Sequence, residues 1–585
     1  MTRTDVVWGR VVLDVIGTTE PSLVDIVLRR AAELPDQMAC EFVSDAGGET
    51  VRLSFGELGK RAARIGAVLA ESTVPGEPVI LLFPDSQEFV GAFLACLWAR
   101  RTAVPVHCPT GKHLDGLANI IADCSAQMIM STRAVADRLR NDLAGREVLP
   151  GLRWIHVDEI SDVGPNLTLK APQRATADDI AFLQYTSGST RRPRGVTVRH
   201  GNLLHNLRQI AVAFQHDRTS RGVIWLPHFH DMGLVGGLLQ PLYAGFPVSL
   251  MSPFDFIRDP ARWLRLISET SATTSGGPNF AYEICVERVS RAVAETLDLR
   301  SWKVAFVGAE LINPVILERF AKHFAVSGFD AASFFPCYGL AESTLYVSGG
   351  PVGAGVRTKA VSSAAIEVGL VRSASGDGRT VVSCGQSLGN TVLVVDPVSR
   401  RACAPDEIGE IWVAGPSVAS GYWGQADEDE SVFDARLADD ELTAGGFLRT
   451  GDLGFVMNGE LHITGRRKDL MVIRGRNVYP HDVELTVTNG ITAVRTNGCA
   501  AFSVEVDNEE QLVVMVEVDP RSTGVDSSLL VEEIRDLVSR EHQLAVFHVD
   551  CVRVGRLPRT TSGKLKRGTA RAEFLARVNT REVGR

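Results

Sequence analysis

The 585-residue chain has no C-x-x-C pair. Its ten cysteines are scattered from Cys40 to Cys551, and none forms a His/Cys cluster with zinc spacing. That argues against a disulfide scaffold or a zinc module and for reduced, buried thiols in a cytoplasmic protein. Long apolar runs are missing too. The longest, Phe89 to Ala99, stops at Arg100-Arg101 and is too short to span a bilayer, so no transmembrane segment is expected. The first residues, where Asp5, Arg10 and Asp14 interrupt the apolar positions, do not read as a signal peptide. Basic charge is not in excess: 61 Lys and Arg against 70 Asp and Glu leave a net −9, which gives no support for nucleic-acid binding. No internal repeat or low-complexity tract is present.

What stands out instead is Tyr185-Thr186-Ser187-Gly188-Ser189-Thr190-Arg191-Arg192-Pro193-Arg194-Gly195. It follows the apolar run Ile180–Leu183, which reads as a buried strand. Glycines let backbone N–H groups converge, hydroxyls add donors and arginines add positive charge, a combination suited to a polyphosphate. A Walker A loop would need a second glycine at position 193, which is Pro193, and a Lys-Ser or Lys-Thr that is absent. The bland alternative is an arginine-bearing surface turn.

The first ~350 residues alternate apolar strands with helical patterns. Strands are expected at Val79–Phe83, Ala103–Val106, Gln127–Met130, Trp154–Val157, Ile180–Leu183, Val223–Leu226, Val248–Met251 and Val304–Val307. Asp85 or Ser86 is placed to cap a helix carrying Phe89, Phe93 and Leu97. This is an α/β pattern with mainly parallel sheets, in which ligands gather at the carboxyl ends of strands. Past ~380 the strands shorten, and Asn458-Gly459 predicts a two-residue hairpin turn. Residues 349–381 are glycine-rich and weakly periodic, like an insertion or long connection. From Gly465 a small α+β unit follows, with a strand at Leu512–Val518, a helix at Leu529–Arg540 and a strand at Cys551–Val554. Gly385-Gln386-Ser387-Leu388-Gly389 matches the G-x-S-x-G of hydrolases, but another strand rather than a helix should follow it. His228 and His230 lack an evident third ligand for a metal.

Five further segments are weak singly: His228–Gly233, Gly308-Ala309-Glu310, Tyr338–Thr344, Thr450–Gly454 and Gly465–Asp469. Together with the arginine-rich loop and Gly563-Lys564, in this order, they resemble the adenylate-forming superfamily over roughly residues 20–575. Arg191 and Arg194 stand where the common CoA-ligase loop has glycine and lysine. With His230–Leu234, Tyr338–Thr344 and Gly475–Pro480, they make the chain similar to the fatty acyl-AMP ligase branch. Residues 349–381 fall where that branch carries its insertion.

The resemblance implies an N-terminal AMP-binding domain over 1–466, with a β-rich subdomain, and a small mobile C-terminal domain over 467–585. It implies ATP and Mg²⁺ as cofactors. Thr186, Ser187, Gly188, Ser189, Thr190 and Arg194 would grip the β- and γ-phosphates. Glu342 would help hold Mg²⁺, to which a hard carboxylate oxygen is suited. Tyr338 and Gly339 would flank the adenine, and the backbone of Gly308, Ala309 and Glu310 would line it. Asp452 would accept from the ribose hydroxyls, with Arg466 near ribose and phosphate. Lys564 would bridge the substrate carboxylate and the α-phosphate as a compact movable charge. His230 would stand where the carboxylate meets the acyl tunnel, although a satisfied core histidine reads the same in sequence. Lys468 would be the hinge of the small domain, although a solvated charged turn reads the same.

The activity implied is formation of an acyl-adenylate from a medium- to long-chain fatty acid. The acyl group would then pass to an acyl carrier protein or polyketide synthase. The basic stretch from Lys564 onward, including Lys566 and Arg567, is a plausible docking surface for an acidic carrier. The alternatives are a long-chain fatty acid–CoA ligase, a non-catalytic adenylate-binding regulator and, less favoured, a nonribosomal adenylation domain.

Overall fold

The computed structural model describes residues 20–43, 50–109, 114–142, 151–160, 174–186, 193–374, 378–425, 430–439, 446–506, 509–519, 526–560 and 563–582. They divide into two compact units. The first comprises Met1–Arg357, Cys384–Leu393 and Trp412–Thr450, and the second Thr358–Ser383, Val394–Ile411 and Gly451–Arg585.

The first unit is built on two sheets. One has the spatial order Arg153–His156, Met128–Ser131, Pro78–Leu82, Thr102–Val106, Ile180–Thr186, Arg194–Arg199, parallel except for the last, antiparallel pair. The other has nine strands. Its parallel centre runs Phe334–Gly339, Val304–Val307, Thr274–Gly277, Gly222–Ile224, Val248–Met251, Met38–Val43, with antiparallel strands at both edges. The apolar runs become these strands because all-apolar segments suit a parallel sheet covered on both faces. Val79, Ile80, Leu81 and Leu82 are at most 1% exposed. Helix Ser86–Trp98 starts where the sequence places a cap: the Asp85 carboxylate accepts from the Gln87 N–H at 3.0 Å.

Two local features go beyond the sequence reading. The arginine-rich loop joins two antiparallel strands, Thr186 standing opposite Arg194, so it has a strand on either side. The segment after Asp231 forms a π-helix, Met232–Leu239. Its Gly233 and Gly237 have no room for a methyl group: a Cβ would fall 2.1 Å from the Pro227 carbonyl oxygen and 2.7 Å from Ile224. As expected from the sequence, Gly385–Gly389 is no nucleophile elbow: Gln386–Ser387 is a short edge strand beside Tyr346–Gly349, and strand Thr391–Val395 follows.

The second unit has a three-stranded sheet, Val494–Val506, Glu509–Val518 and Val546–Val552, with helices Pro480–Gly490, Ser527–His542 and Arg567–Glu582. Its last strand lies a few residues earlier than the sequence reading placed it. The hairpin Leu448–Met457/Glu460–Arg466 turns at Asn458 and Gly459, both with positive φ (50° and 87°) as such a turn requires. The glycine-rich stretch is ordered into a second hairpin, Thr358–Ser362/Gly378–Val382, with a short helix Ser363–Glu367. Its Val361, Ile366 and Val381 share one apolar cluster with Leu453, Phe455 and Tyr479. Arg379 pairs with Asp482 at 3.0 Å, donates to the Thr464 carbonyl at 2.7 Å and lies over the Tyr479 ring. Glu367 takes a forked pair of hydrogen bonds, 2.6 and 2.9 Å, from Arg476. No helix among the described residues is long and apolar enough to cross a membrane.

Candidate active site

In the first unit the site begins at the carboxyl end of strand Ile180–Thr186. Ser187, Gly188, Ser189 and Thr190 lie outside the described residues, as do Arg191 and Arg192. The base of the loop is fixed. The Tyr185 hydroxyl donates to Asp123 at 2.6 Å, and Gly195 lies against the Tyr185 ring, where a Cβ would be only 2.9 Å away. Arg194 opens the returning strand, and its guanidinium lies 5.3 Å from the centroid of the Tyr422 ring.

Tyr422 is the residue that the sequence reading missed. It is 6% exposed, and its hydroxyl donates to Glu342 Oε1 at 2.9 Å. Burial, and then the nearby Glu342 charge, push the phenol well above its ordinary range, so it stays a donor. Its backbone is held as well, through a β-bridge to Val196 and a 2.8 Å bond from the Trp423 N–H to the Gly195 carbonyl. Glu342 sits on the short turn Ala341–Ser343, half-buried. That turn is tied to the segment preceding Tyr422: Ala419 N–H donates to the Glu342 carbonyl at 2.9 Å, and Thr344 Oγ1 to the Ser417 carbonyl at 2.7 Å. Thr344 is buried at φ +65°, an uncommon conformation for a β-branched residue that this bonding holds in place. Ser417 in turn donates to Gln209 at 2.7 Å and receives from Asn206 at 3.1 Å on helix His200–Ala213.

Gly308–Glu310 and Tyr338-Gly339 meet at the carboxyl ends of two adjacent parallel strands, Val304–Val307 and Phe334–Gly339. A Cβ on Gly308 would lie 2.8 Å from the Cys337 carbonyl oxygen, and Ala309 takes φ +69°. Tyr338 is 9% exposed, whereas Glu310 is exposed.

The histidine pair divides into two characters. His228 is a core residue, its ring 4.3 Å from that of Phe89 and its Nδ1 3.2 Å from Ser86 Oγ; burial pushes its pKa down to about 3. His230 is half-buried beside Phe229, whose carbonyl accepts from Gln184 on the strand that leads into the arginine-rich loop.

In the second unit Asp452 and Arg466 stand opposite each other on one hairpin and form an ion pair. Lys468 lies in the turn Arg467–Asp469, whose Asp469 pairs with Arg567 at 3.1 Å; Arg567 also forks onto Glu484 at 2.6 and 2.7 Å. Lys564 is carried by a different loop. Its N–H donates to Thr560 Oγ1 at 3.0 Å, its carbonyl accepts from the Thr560 N–H at 2.8 Å, and Arg559 donates to the Gly563 carbonyl at 3.1 Å.

A positively charged arm joined to one carboxylate, at the mouth of a parallel sheet, is the make-up of an enzyme that handles a nucleotide's phosphates. Comparison with known proteins is more specific. The family described as AMP-binding enzyme matches residues 27–423, and one described as Disco-interacting protein 2-like, AMP domain, matches residues 468–581. The chain belongs to the AMP-binding enzyme family. It is 39% identical to a medium-chain fatty acid acyl-carrier-protein ligase, JamA of Moorena producens, over 95% of each chain. It is 35% identical to a long-chain fatty acid–AMP ligase of Mycobacterium tuberculosis, over 94% of this chain and 96% of that one. Among solved structures, a fatty acyl-adenylate ligase of Legionella pneumophila in complex with acyl adenylate and pyrophosphate matches with TM-score 0.74 and 37% identity, covering 95% and 96% of the two chains.

Proposed function

We propose that the protein condenses a medium- to long-chain fatty acid with ATP, giving acyl-adenylate and pyrophosphate, and then passes the acyl group to a carrier thiol. The carrying observation is the Arg194–Tyr422–Glu342 cluster at the end of the strand bearing Thr186. The fatty acid and the carrier are supported by the names of relatives aligned end to end with this chain.

The carboxylate oxygen attacks the α-phosphorus, the bond to the bridging oxygen breaks, and pyrophosphate leaves with that electron pair. Nucleophile and target are both anionic, so positive charge must screen them and fix an in-line approach. Arg194, with the loop from Thr186, receives the charge of the leaving pyrophosphate. Lys564 bridges the attacking carboxylate and the α-phosphate, Asp452 accepts from the ribose hydroxyls, and Tyr338 flanks the base. His230 faces the carboxylate. In the second step a thiolate attacks the acyl carbon, and AMP leaves.

Glu342 fits Mg²⁺: it offers one hard oxygen donor, and no group of three or more His, Cys, Asp or Glu side chains that could hold a metal occurs among the described residues. That suits an ion held chiefly by phosphate oxygens. Bound there, it would neutralise phosphate charge. The reaction is placed in the cytoplasm, where ATP and carrier meet.

The test is to incubate the protein with fatty acid, ATP and either CoA or a holo-carrier protein, and to measure acyl-AMP, acyl-CoA and acyl-carrier by mass spectrometry. Acyl-AMP and acyl-carrier are expected; abundant acyl-CoA would move the protein to the CoA ligases.

A further inference from the structure

We propose that Tyr422 is a positioning residue that ties the metal-holding carboxylate of Glu342 to the phosphate-gripping arm at Arg194. The inference rests on the roles given above to Glu342 and Arg194, and it assigns Tyr422 a part of its own. It engages both charged groups: Arg194 lies over the ring face at 5.3 Å and also reaches the hydroxyl, which donates to Glu342 Oε1 at 2.9 Å.

A buried tyrosine satisfied by a carboxylate is in itself ordinary. Two things set this one apart. The first is its anchorage. Its backbone bridges Val196, and the next N–H bonds to Gly195, so its Cα is fixed to the very strand that Arg194 opens. Phe433 packs edge-on against the ring at 5.1 Å. The second is where it holds Glu342. A glutamate on a one-turn helix has three rotatable bonds; the Ala419 N–H bonds its main-chain carbonyl, and the Tyr422 hydroxyl bonds its carboxylate. The rigid phenol, with two rotatable bonds, fixes Oε1 by reference to the opposite arm. A metal-ligating carboxylate is ordinarily oriented by such an outer partner, whose removal weakens metal affinity about 10- to 100-fold. Tyr422 therefore sets the distance between two sites that must act on one polyphosphate.

The test separates this role from simple packing. ATP binding is measured by calorimetry with and without Mg²⁺ for the wild type, Tyr422→Phe, Tyr422→Leu, Glu342→Gln and the Tyr422→Phe/Glu342→Gln double variant, with thermal midpoints recorded alongside. Tyr422→Phe, which keeps the ring under Arg194, is expected to weaken ATP binding about 10-fold with Mg²⁺, to weaken metal-free ATP binding clearly less, and to add nothing to the Mg²⁺ effect in the Glu342→Gln background. Tyr422→Leu is expected to weaken metal-free binding as well, because Arg194 loses its seat. Equal losses with and without Mg²⁺ for Tyr422→Phe, no loss at all, or a full additive loss in the double variant would each overturn the proposal. If Glu342→Gln leaves the Mg²⁺ effect intact, the metal-holding role of Glu342 fails first; if it abolishes that effect while Tyr422→Phe does not, only the role of Tyr422 fails.

Discussion

Asp452 and Arg466 occupy paired positions across one antiparallel hairpin, and Arg466 Nε lies 3.0 Å from Asp452 Oδ1. The carboxylate is nearly buried while the arginine is more than half exposed, so the pair presents an oriented acid with an exposed cation at its side. An acid accepts from two ribose hydroxyls more strongly than an amide does. Asp452→Asn is expected to raise the apparent KM for ATP about 10-fold, the lower end of what a hydrogen bond to a charged group contributes, and to leave that for fatty acid within about 2-fold. Fatty-acid-dependent ATP–pyrophosphate exchange reads both. A matching rise in both constants would remove Asp452 from the nucleotide side.

Lys564 stands on a loop closed by Thr560 on both its N–H and its carbonyl. If its ammonium bridges substrate carboxylate and α-phosphate, Lys564→Ala lowers kcat for exchange by about 10²- to 10³-fold, the loss seen when one preorganised donor is removed. Lys564→Arg does not restore it, because a planar fork cannot replace a compact point charge. Thr560→Val removes the side-chain acceptor for the Lys564 N–H and is expected to give a smaller kcat loss with substrate KM unchanged.

The hairpin Thr358–Ser362/Gly378–Val382 and its short helix yield a prediction about the acceptor. Arg379 engages Asp482, Thr464 and Tyr479, and Glu367 engages Arg476, all within the second unit. These contacts tie this stretch to residues on both sides of Lys468. Arg379→Ala combined with Glu367→Ala, or deletion of residues 353–379, is expected to raise acyl-CoA formation at unchanged acyl-AMP formation. Unchanged acyl-CoA yield would remove the insertion from acceptor choice.

The sheet strands were legible because four or five consecutive apolar residues bounded by turn formers leave few other options. The Asp85 cap and the Asn458-Gly459 turn were legible because each is a local backbone requirement. Tyr422 was not. A tyrosine before Trp423 reads as core, and its function depends on Glu342, 80 residues away, and Arg194, 228 away. The hairpin Thr358–Ser362/Gly378–Val382 was illegible because only scattered apolar residues such as Val361 and Val381 anchor it, against partners far along the chain. The arginines of the loop marked a branch of the family in the sequence, but only the fold supplied the ring that seats Arg194.

Acid should destabilise the first unit through its neutral histidines. His216 is buried, with Nδ1 accepting from Gln240 at 3.4 Å, and burial lowers its pKa from 6.5 to about 3. Its neutral form is thus favoured in the fold. The associated stability is complete above the unfolded value near 6.5 and is lost as pH falls toward 3, with a limiting slope of about 1.4 kcal/mol per pH unit. His200 and His205, each pushed to about 4 by burial, act in the same direction. His216→Gln is expected to flatten the fall of the thermal midpoint between pH 6.5 and 5; an unchanged slope would mean that His216 is protonated in the native state.

Gly339 offers a steric test of how Glu342 is placed. A Cβ there would lie 1.9 Å from the Leu345 carbonyl oxygen, and that oxygen already accepts from the Leu340 N–H at 2.9 Å. The obstacle is backbone, which no side-chain rotation relieves, so Gly339→Ala must open the hairpin that carries Glu342. The expected cost is about 1–3 kcal/mol, the range for overpacking, together with weaker ATP binding in Mg²⁺. Gly116, on helix Leu114–Cys124, is the matched control: a Cβ there meets nothing within 4 Å. Gly116→Ala is expected to raise stability by up to about 1 kcal/mol, the helix-propensity difference, with nucleotide binding unchanged. Thermal midpoints and calorimetric ATP affinities for the two variants should therefore move in opposite directions for stability and diverge for binding; if Gly339→Ala matches Gly116→Ala in both, the hairpin tolerates the displacement and Glu342 is not held by it.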